Sequence, residues 1–342
     1  MAATSVKRGA GVAVTAVLFC LTLLMAGCQS VPAGTSASSV HFTAQSDIGL
    51  GAEARQVLDT VAGLRPQLNL ALGDLPYEAG IDREFCDMVK GKLGEDFPYE
   101  VLTGNHESDG RDGDIENIVN CLPNRLPGLQ GDYGTQWYVD VPEKKPLVRF
   151  VMVSPGIDFQ GGQHLDYSQQ SERWNWTTNA IDGAAAANIP WTVVGMHAEC
   201  LTLGKYQCKV GRDFANMLLA KKVDLVLSGD DHLYQRSHQL GLGPDCPELV
   251  PGSFSAACIT DSDPSMVNGA GTVFATVGVG GAGLYEVNEN DPEAGYFAAW
   301  SGKNHDPAFG TLDVTATGNQ LSARFVPAKG FNFTDTFTIG QP

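Results

Sequence analysis

Basic side chains are scarce. Against 39 Asp and Glu stand only 22 Lys and Arg, a net charge of −17, and loss of Lys7 and Arg8 with a leader-like segment leaves 20 against 39, or −19. A surface that acidic repels phosphate backbones, which excludes non-specific nucleic-acid binding and attraction to anionic membranes. No internal repeat runs through the chain and no linker-like stretch follows residue 45. There is no GxSxG elbow to mark a serine hydrolase, and Gly278–Gly283 lacks both a following helix and a GK[ST] sequence, so it is a tight turn and not a nucleotide loop. No cysteine pair has the CxxC spacing of a zinc or redox site. What remains is a chain of 342 residues, 43% hydrophobic and 18% charged, suited to a globular protein with one or two cores.

The long apolar run lies at the start. Lys7 and Arg8 precede an uncharged stretch from Gly9 to Gly27 that closes in Leu24-Met25-Ala26-Gly27-Cys28. This is the layout of a secretory signal, and Cys28 after Ala-Gly resembles a bacterial lipobox. Residues 1–27 are therefore expected to be a lipoprotein-type signal peptide, 28–45 a flexible tether from lipidated Cys28, and 46–342 one catalytic domain. An uncleaved anchor helix is the alternative, and either way the remainder is exported, as a surface lipoprotein or secreted, with the membrane reached only through signal or lipid. With Cys20 and Cys28 set aside, six cysteines are left: Cys86, Cys121, Cys200, Cys208, Cys246 and Cys258. An oxidising compartment would allow three disulfides. Neighbours in sequence make the simplest pairing among fifteen connectivities.

From residue 46 short apolar runs alternate with helical spacings. Helices are expected at 51–63, 82–93 and 212–221 and at the end of a segment over 180–187; strands at 67–72, 99–102, 147–154, 191–196 and 223–227. The alternation predicts an α/β fold with sheet buried on both faces. After residue 240 short strands at 273–277, 311–315 and 320–326 suggest a second, more antiparallel sheet.

Polar residues gather where the strands end: Asp47-Ile48-Gly49, Gly73-Asp74-Leu75-Pro76-Tyr77, Gly104-Asn105-His106-Glu107, Gly195-Met196-His197 and the run from Gly229 to Arg236. Strand ends are where open α/β sheets place their sites. Singly, each Asp or Asn reads as a turn residue. Together they read as ligands, because carboxylates of Asp47, Asp74 and Asp230 about 4 Å apart would repel by roughly 4 kcal/mol per pair at an effective dielectric near 20. Three such pairs approach a whole domain's stability, so bound cations or protons are required. Mixed carboxylate, imidazole and amide donors suit zinc, iron or manganese.

The series Asp47, GDLPY at 73–77, GNHE at 104–107, His197 and GDDHLYQR at 229–236 resembles the calcineurin-like metallophosphoesterases, and among them most the purple acid phosphatases. The resemblance covers residues 45–330 and implies a double β-sheet sandwich flanked by helices, around a dinuclear centre that hydrolyses phosphomonoesters of small substrates through a metal-activated hydroxide. It implies a first cation held by Asp47, Asp74, Tyr77 and His232, and a second by Asp74, Asn105, His197 and Asp230. Tyr77 as phenolate favours Fe(III), with Zn, Mn or Fe(II) beside it. His106 would contact the phosphate or protonate the leaving group, with Glu107 orienting its ring. Asp230 departs from the family's His at that position, and Asp231 is the alternative ligand. Lys205 and Tyr206 stand where small purple acid phosphatases carry another His; they either contact phosphate, as Asn105 and Arg236 would, or are plain loop residues. His41, His164, His238 and Arg111 are weaker pocket candidates. A phosphodiesterase or nucleotidase with the same centre, and a non-catalytic metal- or phosphate-binding lipoprotein, are the competing functions.

Overall fold

The computed structural model describes residues 39–342 and the isolated positions 5, 7, 9 and 11. The expected signal, the Cys28 lipid site and most of the tether lie outside the described residues. Strands and helices alternate at first: β1 (Val40–Gln45), α1 (Ala52–Leu64), β2 (Leu68–Leu72), α2 (Asp82–Leu93), β3 (Tyr99–Leu102), the single turn α3 (Asn105–Ser108) and α4 (Ile115–Cys121). Then come β4 (Gln130–Asp132), β5 (Gln136–Val141), β6 (Val148–Met152), the hairpin β7 (Asp158–Phe159) and β8 (Gln163–His164), α5 (Glu172–Ala186), β9 (Trp191–Gly195), α6 (Arg212–Ala220) and β10 (Leu225–Ser228). Strands dominate the remainder: β11 (Tyr234–Leu240), β12 (Ile259–Asp261), β13 (Ser265–Val267), β14 (Thr272–Val277), β15 (Phe297–Ser301), β16 (Gly310–Ala316), β17 (Gln320–Pro327) and β18 (Thr336–Gly340).

Two large mixed sheets result. The first runs β13-β18-β17-β16-β1-β2-β3 and the second β12-β11-β14-β10-β9-β6-β5-β4, with β15 sharing with β12 the side of β11 away from β14. β1, β2 and β3 are parallel, as are β6, β9, β10 and β14. Two expectations need correction. The late strands do not make a sheet of their own: β14 enters the second sheet parallel to β10, while β16, β17 and β18 extend the first in antiparallel fashion. The stretch 40–45 is not tether but β1, the strand that joins β16 to β2, buried at every position except the half-buried His41 although its sequence is half polar.

Period-two alternation builds the layers. On β6, Phe150 and Met152 face the other sheet while Val151 faces outward; on β10, Leu225 and Leu227 face in and Val226 out. Between the sheets these side chains meet Phe42, Leu70, Trp137, Trp191, Val314 and Phe325. The outer face of the second sheet is covered through Ile181, Phe214 and Leu218 of α5 and α6, and that of the first through Leu58 and Phe85 of α1 and α2. Each fully buried Leu or Phe contributes about 1.5–3 kcal/mol. The α/β double sandwich flanked by helices is thus present. Cystines join Cys86 to Cys121, Cys200 to Cys208 and Cys246 to Cys258, the neighbour pairing.

The parallel strands of both sheets point their carboxyl ends to one rim. There Ser46 N donates to Val277 O at 3.0 Å and Gly280 N to Ser46 O at 2.8 Å, so the two sheets are stitched together beneath the loops that carry the polar motifs.

Candidate metal centre

Three aspartates leave their strands in the same unusual backbone conformation. Asp47, Asp74 and Asp230 have φ of 60°, 51° and 68°. For a residue with a Cβ this left-handed region costs energy, and such strain collects at functional sites. It turns each carboxylate back over the strand ends. Glycine makes room: a Cβ at Gly104 would overlap Asp74, and one at Gly229 would lie 2.7 Å from Asp47 Oδ2.

On one side, four donors meet. The Tyr77 hydroxyl lies 3.1 Å from Asp47 Oδ1, 3.4 Å from Asp74 Oδ2 and 3.1 Å from His232 Nε2. His232 is aimed by its far nitrogen, whose Nδ1–H donates to Gly283 O at 2.8 Å, and its ring stacks on Tyr285 with centroids 4.0 Å apart. On the other side His197 follows the same rule. Its Nδ1–H donates to Leu72 O at 2.8 Å, so the fully buried Nε2 faces Asp74 Oδ1 at 3.2 Å and Asp230 Oδ1 at 3.9 Å without making a hydrogen bond. A carbonyl on one imidazole nitrogen, with the other nitrogen left unpartnered, is how protein presents histidine to a metal. Donor atoms of Asp47, Asp74 and His197 all lie within 4.8 Å of one another. Asp230 stands just outside that trio, reached through His197. Carboxylates, a phenol and two imidazoles so placed fit cations of the zinc, iron or manganese type.

Protein groups alone must otherwise balance the charge. Burial pushes Asp74 up, but the nearby charge of His197, then that of His106 and the hydrogen bond from the His106 main-chain N–H, outweigh it and bring Asp74 to about 2. Burial pushes His197 down, yet Asp74, Asp47 and Asp230 hold it well above its ordinary value. Burial, then Asp47 and Asp74, push the Tyr77 phenol well up, so without a cation it keeps its proton. The imidazole proton takes the place of the positive charge that the acids demand.

The other expected residues divide. Asn105 and His106 open α3 at the rim, and His106 lies with its ring centroid 4.2 Å from that of Tyr77, its Nε2 3.6 Å from Asp74 Oδ2. Glu107 does not orient the His106 ring. Its carboxylate accepts from Asp74 N, Leu75 N and Gly104 N at 3.0, 3.1 and 2.6 Å and thus clamps two ligand loops together. The acid near the His106 ring is Asp112, 3.1 Å from Nδ1, close enough for charge attraction though not hydrogen-bonded. Asp231 does not replace Asp230, because its oxygens accept from Thr202 Oγ1, Lys205 N and Tyr206 N and anchor that loop. Lys205 Nζ lies 3.6 Å from the centroid of Tyr285 and 4.6 Å from that of Tyr206, beside the centre. Arg236 is a miss: it is buried in a bidentate pair with Asp335 at 2.6 and 2.9 Å, facing Phe337 and not the ligands. Among the weaker candidates, His41 pairs with Asp313, His164 with Asp158 and Arg111 with Asp109, while His238 lies on β11 two residues past Arg236. Lys209, which the motifs do not touch, pairs with Asp230 Oδ2 at 2.5 Å; the signal available was its place one residue after Cys208.

Comparison with known proteins converges on one group. A family model described as calcineurin-like phosphoesterase matches residues 40–234. Purple acid phosphatase 18 of Arabidopsis thaliana is 21% identical over 218 residues, covering 61% of this chain and 47% of that protein. An acid phosphatase of Aspergillus ficuum is 24% identical over 213 residues, covering 42% of this chain and 34% of its own length. The chain thus spans about half or less of the curated relatives it matches. A purple acid phosphatase from yellow lupin (Lupinus luteus) seeds superposes with a TM-score of 0.67 at 15% identity, over 89% of this chain and 54% of that one, a likeness of fold.

Proposed function

Because the chain belongs to the calcineurin-like phosphoesterase family, we propose that it is a metal-dependent hydrolase of phosphoric esters with a preference for small phosphomonoesters. The observation that carries this reading is the meeting of the Asp47, Asp74, Tyr77 and His232 donors beside the buried, unpartnered Nε2 of His197. One cation would be held by Asp47, Asp74, Tyr77 and His232 and a second by Asp74, Asn105, His197 and Asp230, with Asp74 shared. When bound, such a pair supplies Lewis acidity, a water acidic enough to attack at moderate pH, and neutralisation of charge on the phosphoryl oxygens.

The side chains do the rest. Asp74 is held ready as an anion, its Oδ1 accepting from His106 N at 3.0 Å. The Glu107 clamp keeps the 73–77 and 104–107 loops in register. His106 is 28% exposed, so its Nε2 is open to a substrate entering over Asp74. With its Nδ1 beside Asp112, Nε2 is the atom that passes a proton to the departing alkoxide, a contribution of about 10²- to 10⁴-fold. Tyr77 as a ligand favours Fe(III) at the Asp47 position, and its charge-transfer colour would vanish in Tyr77→Phe.

Three cystines support an oxidising, exported location; attachment through Cys28 is part of the same proposal, and failure to incorporate labelled lipid at Cys28 would remove that part. The catalytic reading is tested with purified protein, by release of phosphate from a chromogenic monoester and of the chromophore from its diester counterpart. Monoester turnover that disappears in Asp74→Ala is expected. A protein that retains transition metal but turns over neither ester would defeat it, and faster diester cleavage would move the preference to diesters.

A further inference from the structure

Asp230 is 3% exposed and brings a negative charge to a position where an imidazole would bring none. The structure shows what answers that charge. Asp230 is tied to the Asp47 side by its own N–H, which donates to Asp47 Oδ2 at 3.0 Å, and turns its carboxylate toward the other side. One oxygen, Oδ1, faces His197 Nε2 at 3.9 Å, and the other, Oδ2, is taken by Lys209 Nζ at 2.5 Å. A cation shared by His197 and Asp230 would meet a carboxylate whose second oxygen already holds an ammonium.

Lys209 is built into place. Cys208 before it is bonded to Cys200, its N–H donates to Glu199 O at 3.2 Å, and its carbonyl lies where a Cβ on Gly156 would come within 2.8 Å. Its ammonium rests 3.5 Å from the centroid of the Tyr206 ring, a cation–π distance, and Tyr206 N is itself anchored on Asp231 Oδ2 at 3.4 Å. Glu199, 1% exposed with neither carboxylate oxygen hydrogen-bonded, adds a further acid behind the pair. The Asp47–Tyr77–His232 side has no Lys or Arg ion pair among the described residues.

We propose that Lys209 is a resident cation of the centre that weakens metal binding on the His197–Asp230 side, so that the two positions load in order, the Asp47 side first. This rests on the metal-binding reading above. Removing a fixed positive charge so close to a bound cation is expected to tighten that position by about ten- to a hundredfold, given partial screening by solvent.

The test is calorimetric titration of the metal-free full chain with Mn²⁺, with bound metal counted by mass spectrometry, in wild type, Lys209→Met and Lys209→Arg. Wild type should take one tight equivalent and a second at least tenfold weaker, which His197→Ala removes. Lys209→Met should tighten only the weaker one, or make a second appear, and Lys209→Arg should keep the asymmetry. Two equal equivalents in wild type, or a weak or missing second equivalent unchanged in Lys209→Met, would overturn the proposal while leaving a metal centre in place. No bound Mn²⁺ in any variant, with Zn²⁺ and Fe²⁺ equally unbound, would instead overturn the metal reading itself. Circular dichroism of each variant separates altered affinity from misfolding, and Lys209→Gln replaces Lys209→Met if the latter does not fold.

Discussion

The two sheets contribute unequal halves to the centre. The first sheet's half is drawn from three consecutive strand ends, residues 47 to 107, and its acids are steadied by main-chain N–H groups and by the Glu107 clamp. The second sheet's half, His197, Asp230 and His232, comes from strand ends with a disulfide-pinned loop between them, and there an ammonium is pressed onto the Asp230 carboxylate. Both halves face the same shortage of positive charge in a chain of net charge −17. The first half leaves that need to bound cations, whereas the second meets part of it with its own groups, Lys209 and the His197 imidazole. A ligand substitution is therefore legible only together with the group that compensates it.

Asp74 comes from the first half but faces His197 of the second at 3.2 Å, so its removal should have the largest effect and erase the difference between them. In Asp74→Ala, monoester turnover should fall below detection and both metal equivalents should weaken together in the titration. A variant that lost only one equivalent would show that the halves do not share this residue. Next in size is His106→Ala, which touches the first half alone: kcat should drop about 10²- to 10⁴-fold with metal content unchanged. Restoration by a substrate with a very good leaving group would sharpen its assignment as proton donor. Smaller again is Glu107→Ala, where three main-chain donors lose their acceptor; groups that orient ligands in this way are worth about 10–100-fold in metal affinity. That loss should fall on Asp74 and hence on both equivalents, unlike the effect of Lys209.

Much of the first half was readable in the chain because the 73–77 and 104–107 motifs are local: a short apolar run, a Gly, then the polar residue, whereas Asp47 follows Ser46 and a strand of mixed polarity. The layers were readable for the same reason, since β6, β9 and β10 are buried on both faces and leave unbroken apolar runs. Lys209 was not readable, because what brings it to Asp230 is the fold of residues 199–210, an Asp231-anchored loop closed by Cys200–Cys208, and no spacing encodes that. Arg236 was misplaced for a related reason. Its position in a motif says nothing about which face of β11 it occupies, and that face belongs to Asp335, about a hundred residues later in the chain. Glu107 was assigned by proximity to His106, although consecutive residues of a helical turn point in different directions.

At each sheet an acid outside the centre is held protonated by burial, Glu100 at the first and Asp224 at the second, which gives a matched pair for the smallest effect on activity. Glu100 on β3 accepts from Arg125 N at 2.9 Å with its second oxygen unpartnered, and Asp224 before β10 accepts from Thr192 N at 2.8 Å and from Asn268. Burial outweighs these donors and raises Glu100 from 4.5 to about 7 and Asp224 from 3.8 to about 7. A folded acid that keeps its proton where the unfolded chain has lost it makes folding take up protons, so stability falls as pH rises from about 4 through 7. At 1.36 kcal/mol per pKa unit the fall is about 3 kcal/mol for Glu100 and about 4 kcal/mol for Asp224. Urea unfolding of metal-free protein at pH 4.5 and 7.5 should show it. Glu100→Gln and Asp224→Asn should each flatten the profile by roughly its own share, and by the sum together, because the two acids lie in different sheets. Turnover of the folded variants should match wild type, since neither acid is among the ligands. A profile flattened by one substitution and not the other would mean that the sheets differ in how dry their edges are as well as in what they bring to the centre.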